Sequence, residues 1–292
     1  MSVSLFPDPV FKPCNELYYI HQMPELPEVE TTLRGISPAL LGRTVSEVRV
    51  RNAALRWPVT DEVQQACGQR VSGLRRRAKY LLIVLESGGL MIHLGMSGSL
   101  RICDEDDESR KHDHVDIVLD SGRCIRFNDP RRFGLFCWWK PPVEQHPLLR
   151  HLGPEPLQDS FSGAYLYQKS RGRRGAVKNF IMDGKVVVGV GNIYASESLF
   201  MAGIHPARAA GRISAVRYDA LVAAIRDVLE RAIAQGGTTL RDFAGADGQP
   251  GYFAQELLVY DRDATPCFQC GSPIRKKVIG QRSSFYCPTC QV

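Results

Sequence analysis

The stretch 44–137 reads TVSEVRV (44–50), YLLIVLE (80–86), LMIHLGM (90–96), HVDIVLD (114–120) and CIRFND (124–129), with polar residues between the segments. Each segment has the length of a β-strand and is rich in β-branched or aromatic residues. The pairs Gly88-Gly89 and Ser121-Gly122 lie between such segments and mark turns. The pattern predicts an antiparallel sandwich or barrel, in which the acidic run 104–108 forms a solvated hairpin loop.

Helical patterns flank the predicted sheets on both sides. PEVETTLRGISPALLG (27–42) has apolar residues at helical spacing and ends at Gly42, which predicts one helix leading into the sheets. A proline-rich stretch then marks a domain boundary, with Pro141, Pro142, Pro147, Pro154 and Pro156. Beyond it, SAVRYDALVAAIRDVLERAIAQGG (214–237) predicts a helix that Gly236-Gly237 closes.

The composition is that of a globular protein. Apolar residues make up 44% of 292 residues, enough for a sizeable core. No uncharged apolar run reaches the roughly 18 residues that a membrane helix needs. The first 22 residues carry Asp8, Glu16 and a single lysine and lack a basic start before an apolar run, which argues against a targeting peptide. We therefore expect a soluble, cytoplasmic, monomeric protein.

Four of the nine cysteines form a metal-binding pattern. Cys267 and Cys270 make one CxxC pair, Cys287 and Cys290 make another, and sixteen residues separate the pairs. This spacing predicts a structural zinc site in which four thiolates leave no open coordination position. The segment SPIRKKVIGQRSSFY (272–286) predicts a two-stranded hairpin with its tip near 280–282. The other cysteines are scattered, and we interpret them as ordinary thiols of a reducing compartment: Cys14, Cys67, Cys103, Cys124 and Cys137.

Two basic clusters accompany the zinc pattern. One contains Arg70, Arg75, Arg76, Arg77 and Lys79, and the other contains Lys169, Arg171, Arg173, Arg174 and Lys178. A lone basic run is usually a solvated surface. Two runs beside a zinc module favour a polyanion, because each cation that meets a phosphate releases counterions.

The segment MPELPEVE (23–30) points to covalent chemistry. Methionine is readily removed before a small residue, and the chain would then begin with the secondary amine of Pro24. An α-amino group has a pKa near 8, against about 10.4 for lysine, so part of it is nucleophilic at neutral pH. Attack of this amine on a sugar C1′ gives an iminium ion, and the Glu25 carboxylate lies beside it in sequence.

Eight segments, in order from residue 24 to the C-terminus, resemble the formamidopyrimidine-DNA glycosylase family. They are PELPEVET (24–31), RRRAKYLL (75–82), HLGMSGSLR (93–101), KHDHVD (111–116), NDPRRFG (128–134), HLGPEPL (151–157), VVGVGNIYASESLF (187–200) and QRSSFYCPTC (281–290). The resemblance implies an α+β fold: an N-terminal β-sandwich with flanking helices, then a helix–two-turn–helix domain and a zinc finger. We expect a non-native extension at 1–22, a catalytic sandwich at 23–145, a DNA-binding helical domain at 158–262 and a four-cysteine zinc finger at 263–292.

The resemblance also implies functional residues. Pro24 is the expected Schiff-base nucleophile, Glu25 the acid that assists base departure, Lys79 the lysine of β-elimination and lesion recognition, and Arg282 the arginine of δ-elimination. Met96, Arg131 and Phe133 are expected to fill the gap left by a flipped nucleotide, because extrusion unstacks its neighbours. The remaining expected DNA contacts are His112, Arg173, Lys178 and Asn192. Arg173 departs from the lysine common in the family but keeps the positive charge.

The implied function is a bifunctional DNA glycosylase and AP lyase of base excision repair, acting at the nucleoid. We expect it to remove 8-oxoguanine and formamidopyrimidines from duplex DNA, with one structural Zn²⁺ and no small-molecule cofactor. Two alternatives stay open. One is an endonuclease VIII-like enzyme for oxidised pyrimidines; the other is a non-catalytic DNA-binding homologue with a capped Pro24.

The segment before Met23 conflicts with this chemistry, because an amide nitrogen at Pro24 has no nucleophilic lone pair. We expect Met23 to be the true start. The alternatives are a processed leader and a protein that has lost lyase activity.

Overall fold

The computed structural model describes residues 23–237 and 256–292. The predicted extension 1–22 and the segment 238–255 lie outside the described residues. Within these ranges the chain has an α+β fold, as the family resemblance implied. None of the helices in the two ranges combines the length and the apolar character that crossing a bilayer requires.

The N-terminal part begins with a helix and continues as a β-sandwich. Helix α1 spans Leu26–Leu40 and buries Leu26, Val29, Leu33, Ile36 and Leu40. The strands that follow are β1 (Val45–Val50), β2 (Gly73–Arg77), β3 (Tyr80–Val84), β4 (Gly89–His93), β5 (Ser99–Asp104), β6 (Asp113–Leu119), β7 (Arg123–Asn128) and β8 (Leu135–Trp139). They form two four-stranded antiparallel sheets, ordered β1-β6-β7-β5 and β2-β3-β4-β8.

Helices and a hairpin make up the C-terminal part. The helices are α2 (Gly163–Ser170), α3 (Val177–Ile181), α4 (Asn192–Met201) and α5 (Ala215–Ala234). Gly236 and Gly237 end α5 with φ of 76° and 83°, as the sequence predicted. The hairpin pairs β9 (Arg275–Ile279) with β10 (Arg282–Tyr286).

The two sheets differ from the sequence prediction in two respects. Strands β2, β5 and β8 were not among the predicted segments; β2 was missed because it contains Arg75–Arg77, part of a basic cluster that the sequence favoured as a polyanion-binding surface. Arg76 and Arg77 are in fact half-buried and ion-paired to Glu155 at 2.6 and 2.9 Å. The hairpin predicted at 104–108 is wrong, because β5 and β6 lie on opposite sides of β7 and the loop crosses that strand.

Candidate active site

A cleft of about 720 Å³ lies where the sandwich, the helices and the β9–β10 hairpin meet. The sandwich side contributes Glu25, Lys79 and Met96, among other residues. The opposite side includes Asn192 of α4, Arg282 of the hairpin, and Tyr260 from the segment that precedes the zinc module. One cavity is therefore lined by residues that are far apart in sequence and were predicted to act together: Glu25, Lys79, Met96, Asn192 and Arg282.

Glu25 lies at the N-terminus of helix α4. Its carboxylate accepts hydrogen bonds from the backbone N–H groups of Gly191 (2.7 Å) and Ile193 (2.9 Å). The backbone N–H of Glu25 donates to the Glu28 carboxylate at 2.9 Å. The hydroxyl of Tyr194 also donates to the Glu28 carboxylate, at 2.7 Å. Burial raises the pKa of Glu25 to about 7, although Lys79 and the two amides lower it. A carboxyl group with this pKa can hold or release a proton at neutral pH.

Gly191 leaves room for the Glu25 carboxylate. A Cβ at this position would lie 2.2 Å from the Glu25 Cδ and 2.4 and 2.6 Å from its two oxygens. The backbone φ of −111° suits any residue, so the cost of a side chain is purely steric. Glycine is therefore needed at 191 for contact rather than for backbone freedom.

We expect Gly191→Ala to lower the rate of base excision by about 100-fold or more, because it displaces the Glu25 carboxylate. The measurement is single-turnover excision from lesion-containing duplex DNA. Gly184→Ala is the matched control, since its Cβ would meet only Leu152 Cδ2, at 3.6 Å. Equal rates for the two variants would show that the position of Glu25 on α4 is unimportant.

Lys79 enters the cleft from the turn between β2 and β3. Ala78, before it, has a φ of 54°, and its N–H is held by Glu155 at 2.7 Å, so the turn is fixed. Burial lowers the pKa of Lys79, the carboxylates Glu25 and Glu28 oppose this shift, and Arg282 adds to it. The lowered pKa increases the fraction of neutral amine, which is able to accept a proton.

The β9–β10 hairpin brings Arg282 to the opposite wall. Gly280 and Gln281 form the turn with φ of 57° and 63°, so the predicted tip is confirmed. The tip lies close to α3, because a Cβ at Gly280 would be 2.4 Å from the Asn179 Oδ1. Arg282 is the first residue of β10 and is exposed.

Lys178 and Asn192 are buried rather than displayed on a surface, and of the two only Asn192 lines the cleft. The Lys178 ammonium donates to the carbonyl oxygen of Ser283 (3.0 Å) and to the hydroxyl of Ser284 (2.7 Å), which joins α3 to the hairpin. Burial lowers the pKa of Lys178 to about 7. Asn192 begins α4, and its amide nitrogen lies 3.5 Å from the Tyr260 hydroxyl.

Three loops of the sandwich converge on the buried side chain of Asp129. Its carboxylate accepts from the Ser97 hydroxyl and from the Gly134 N–H, each at 2.7 Å, and its N–H donates to the His112 carbonyl oxygen at 3.0 Å.

The three predicted gap-filling side chains and His112 belong to these loops. The Arg131 guanidinium carbon is 5.1 Å from the centre of the Phe133 ring. Phe133 is 42% exposed, so it is not a core residue. Arg173 is exposed in the loop after α2.

Sequence reasoning missed Glu197 and Tyr260. Glu197 is buried on α4, and its carboxylate accepts from the N–H groups of Leu258 (2.7 Å), Val259 (3.0 Å) and Tyr260 (2.8 Å). It therefore fixes the segment that places Tyr260 in the cleft wall. The one available signal was an acidic residue within an otherwise uncharged helix, NIYASESLFM.

The four cysteines of the C-terminal module form a metal site. The Sγ atoms of Cys267, Cys270, Cys287 and Cys290 all lie within 4.8 Å of one another. Four sulfurs at this spacing fit the tetrahedral thiolate set of one structural Zn²⁺ ion. The ion would tie both ends of the β9–β10 hairpin together and so hold Arg282 in place.

We expect Cys287→Ser to lose the bound zinc and, with it, most of the lesion-specific excision, by about 100-fold. Zinc binding contributes directly to the folding of such small modules. Atomic absorption would give the zinc content, and excision would be assayed on the same samples. Cys67→Ser is the control, because Cys67 is exposed and lies outside the module. A zinc-free Cys287→Ser protein with normal excision would refute this role for the module.

Family models match most of the chain. The formamidopyrimidine-DNA glycosylase N-terminal domain matches residues 23–136, the H2TH domain of the same proteins matches 152–244, and a zinc finger found in FPG and IleRS matches 265–292. A formamidopyrimidine-DNA glycosylase of Alcanivorax borkumensis is 63% identical over 271 residues, covering 92% of this chain and 100% of the relative.

Solved structures agree with this match. MutM (FPG) from Thermus thermophilus is 38% identical with a TM-score of 0.82, covering 92% of this chain and 98% of that one. A point mutant of Lactococcus lactis FPG, in complex with Fapy-dG-containing DNA, is 29% identical with a TM-score of 0.85, covering 92% and 99%. A further complex of the Lactococcus lactis protein contains DNA with an abasic site.

Proposed function

This chain belongs to the formamidopyrimidine-DNA glycosylase family, and from that premise we propose that it removes oxidised purines from duplex DNA by imine chemistry at Pro24. Its activity is that of a DNA glycosylase with AP lyase activity in base excision repair, and its partner is double-stranded DNA with damaged bases. This chemistry is supported by one observation about Glu25, the residue after Pro24. Backbone N–H groups at the N-terminus of α4 hold its carboxyl group, and burial raises the pKa of that group to about 7.

We assign the steps to residues as follows. The Pro24 amine attacks C1′ of the damaged nucleotide, Glu25 supplies the proton that assists ring opening and base departure, and an iminium ion forms. The iminium makes the C2′ proton acidic. Loss of that proton expels the 3′ phosphate, with Lys79 assisting, and a second elimination expels the 5′ phosphate, with Arg282 assisting.

We propose that flipping the damaged nucleotide leaves a gap that Met96, Arg131 and Phe133 fill. Such filling restores part of the stacking lost on extrusion. The loops that carry these side chains are tied together through Asp129, so they present a preformed surface. We propose that His112, Arg173, Lys178 and Asn192 contact phosphates. Arg173 is exposed and positively charged, and Asn192 lies at a helix N-terminus. The His112 imidazole can donate a hydrogen bond, whereas Lys178 is buried and must first release Ser283 and Ser284.

The choice of damaged base is tested by comparing substrates. We expect excision of 8-oxoguanine opposite cytosine to be at least about tenfold faster than excision of thymine glycol from an otherwise identical duplex. The reverse order would favour an endonuclease VIII-like enzyme. Binding of both duplexes without cleavage would favour the non-catalytic homologue.

We also propose the domain division and the cellular site. The sandwich at 23–145 would carry the chemistry, the helical domain at 158–262 and the zinc finger at 263–292 would grip DNA, and 1–22 would be absent from the active form. Because duplex DNA is the substrate, we place the protein at the nucleoid, in the cytoplasm.

A further inference from the structure

Two cysteines outside the cleft lie directly opposite each other in the sheet β1-β6-β7-β5. Cys103 on β5 and Cys124 on β7 are register partners, and their Sγ atoms are 3.0 Å apart. Opposed Cα atoms in antiparallel strands are about 4.5–5.5 Å apart, within the roughly 4.4–6.8 Å that a disulfide spans. Both residues are free thiols in this structure. The backbone therefore holds the two sulfurs where a bond between them needs little movement.

We propose that Cys103 and Cys124 form a redox-active dithiol that a peroxide closes into a disulfide. One sulfur attacks the O–O bond of hydrogen peroxide and becomes a sulfenic acid, releasing one water. The second sulfur displaces the hydroxyl of that sulfenic acid, releasing a second water. Two thiols and one peroxide give one disulfide and two waters, so the sulfurs are oxidised and the peroxide is reduced.

Burial sets the order of the two steps. Cys124 is fully buried, and this burial, with Cys103 beside it, raises the pKa of the Cys124 thiol to about 12. Cys103 is 8% exposed and lies on β5, the edge strand of the sheet. Cys103 is therefore the sulfur that meets the oxidant, and Cys124 is the resolving thiol. Elsewhere in residues 23–237 and 256–292, the cysteine sulfurs that lie close together are those of the four zinc-module cysteines.

The disulfide would fasten the loop that crosses β7. Cys103 and Cys124 are 21 positions apart, and the chain between them contains the acidic run, His112 and β6. The Arg126 guanidinium already holds this loop through the carbonyl oxygens of Asp107 (3.0 Å) and Glu108 (3.2 Å). A covalent bond at the end of β5 would add a constraint on the unfolded chain, and we expect a rise in Tm of about 5 °C.

The experiment uses zinc-loaded protein begun at Met23, which lacks Cys14. The protein is treated with hydrogen peroxide, excess peroxide is removed, and the protein is unfolded in denaturant with N-ethylmaleimide, which blocks every remaining thiol. Non-reduced peptides are then mapped by mass spectrometry. We expect a cross-linked peptide pair containing Cys103 and Cys124, two hydrogens lighter than the separate peptides. We also expect Tm to rise by about 5 °C and to return when a phosphine reductant is added.

Cys103→Ala and Cys124→Val are the control variants. Both should keep zinc and unoxidised excision activity, and neither should show the shift in Tm. The proposal fails if both thiols remain open to N-ethylmaleimide after oxidation, or if Cys103 is converted to sulfinic acid without a cross-link. It also fails if either sulfur is found bonded to a different cysteine. If a variant does not fold, the peptide map of the unsubstituted protein decides.

Discussion

Protein begun at Met23 should be trapped covalently on DNA by borohydride, and protein that keeps residues 1–22 should not. In the first form, removal of Met23 leaves the Pro24 amine free to form an iminium ion that borohydride reduces. In the second form the same nitrogen belongs to a peptide bond, whose resonance removes the lone pair. We expect the yield of adduct on 8-oxoguanine opposite cytosine to differ by about 1,000-fold or more, because the nucleophilic route is lost outright.

The comparison depends on the identity of both N-termini. Met23→Leu in the longer form prevents internal initiation, and mass spectrometry of the intact protein would establish that residues 1–22 are still attached. An adduct from the verified long form would show that a different amine, such as Lys79, is the nucleophile. An adduct from neither form, with zinc bound, would support a non-catalytic DNA-binding protein.

Glu25→Gln should abolish base excision, with a loss of about 1,000-fold or more in single-turnover rate. The amide cannot donate a proton to the departing base. It also places an NH₂ group where the carboxylate accepts from Gly191 or Ile193, so one hydrogen bond is lost as well. Elimination at a preformed abasic site should fall much less, because that substrate has no base to release. Glu30→Gln is the matched control: Glu30 lies on α1, which Glu25 immediately precedes, and it is paired with Arg34 and Arg76.

The pH dependence gives an independent measure of the same group. Because the pKa of Glu25 in the fold is raised to about 7, the protonated acid is present below pH 7 and is lost as the pH rises through that value. The rate of excision from 8-oxoguanine DNA should therefore fall above pH 7. Titration of the Pro24 amine has the opposite effect on the rate, so the pH dependence measured on abasic DNA is used to correct for it. A wild-type rate in Glu25→Gln, or a rate independent of pH above 7, would refute the assignment of Glu25 as the acid.

Helix α4 has two buried carboxylates to position. The N-terminus of α4 holds Glu25, and Glu197 of the same helix holds the backbone of residues 258–260. One helix therefore positions groups on both walls of the cleft. Small displacements of catalytic groups are costly, since rate depends steeply on geometry. The burial of α4 (NIYASESLFM) therefore fixes the geometry of the cleft as well as contributing to the core.

The amino-acid sequence was enough to predict those features that depend on residues close together in the chain. The spacing of Cys267, Cys270, Cys287 and Cys290 sufficed for the zinc site. Short segments rich in β-branched or aromatic residues sufficed for five of the eight sandwich strands, and Gly236-Gly237 for the end of α5. Such patterns are local because turn geometry and strand period act over a few residues. The resemblance added the candidate residues of the cleft.

The surroundings of those residues could not be predicted from the sequence and were revealed by the folded structure. Glu25 and the amides that hold it are 166 and 168 positions apart, so neither its burial nor its raised pKa can be derived from the neighbouring sequence. The thiols of Cys103 and Cys124 had no pattern in sequence and became a pair because β5 lies beside β7. Strand order and burial result from contacts summed over the whole chain, and those contacts set pKa values and bring distant side chains together.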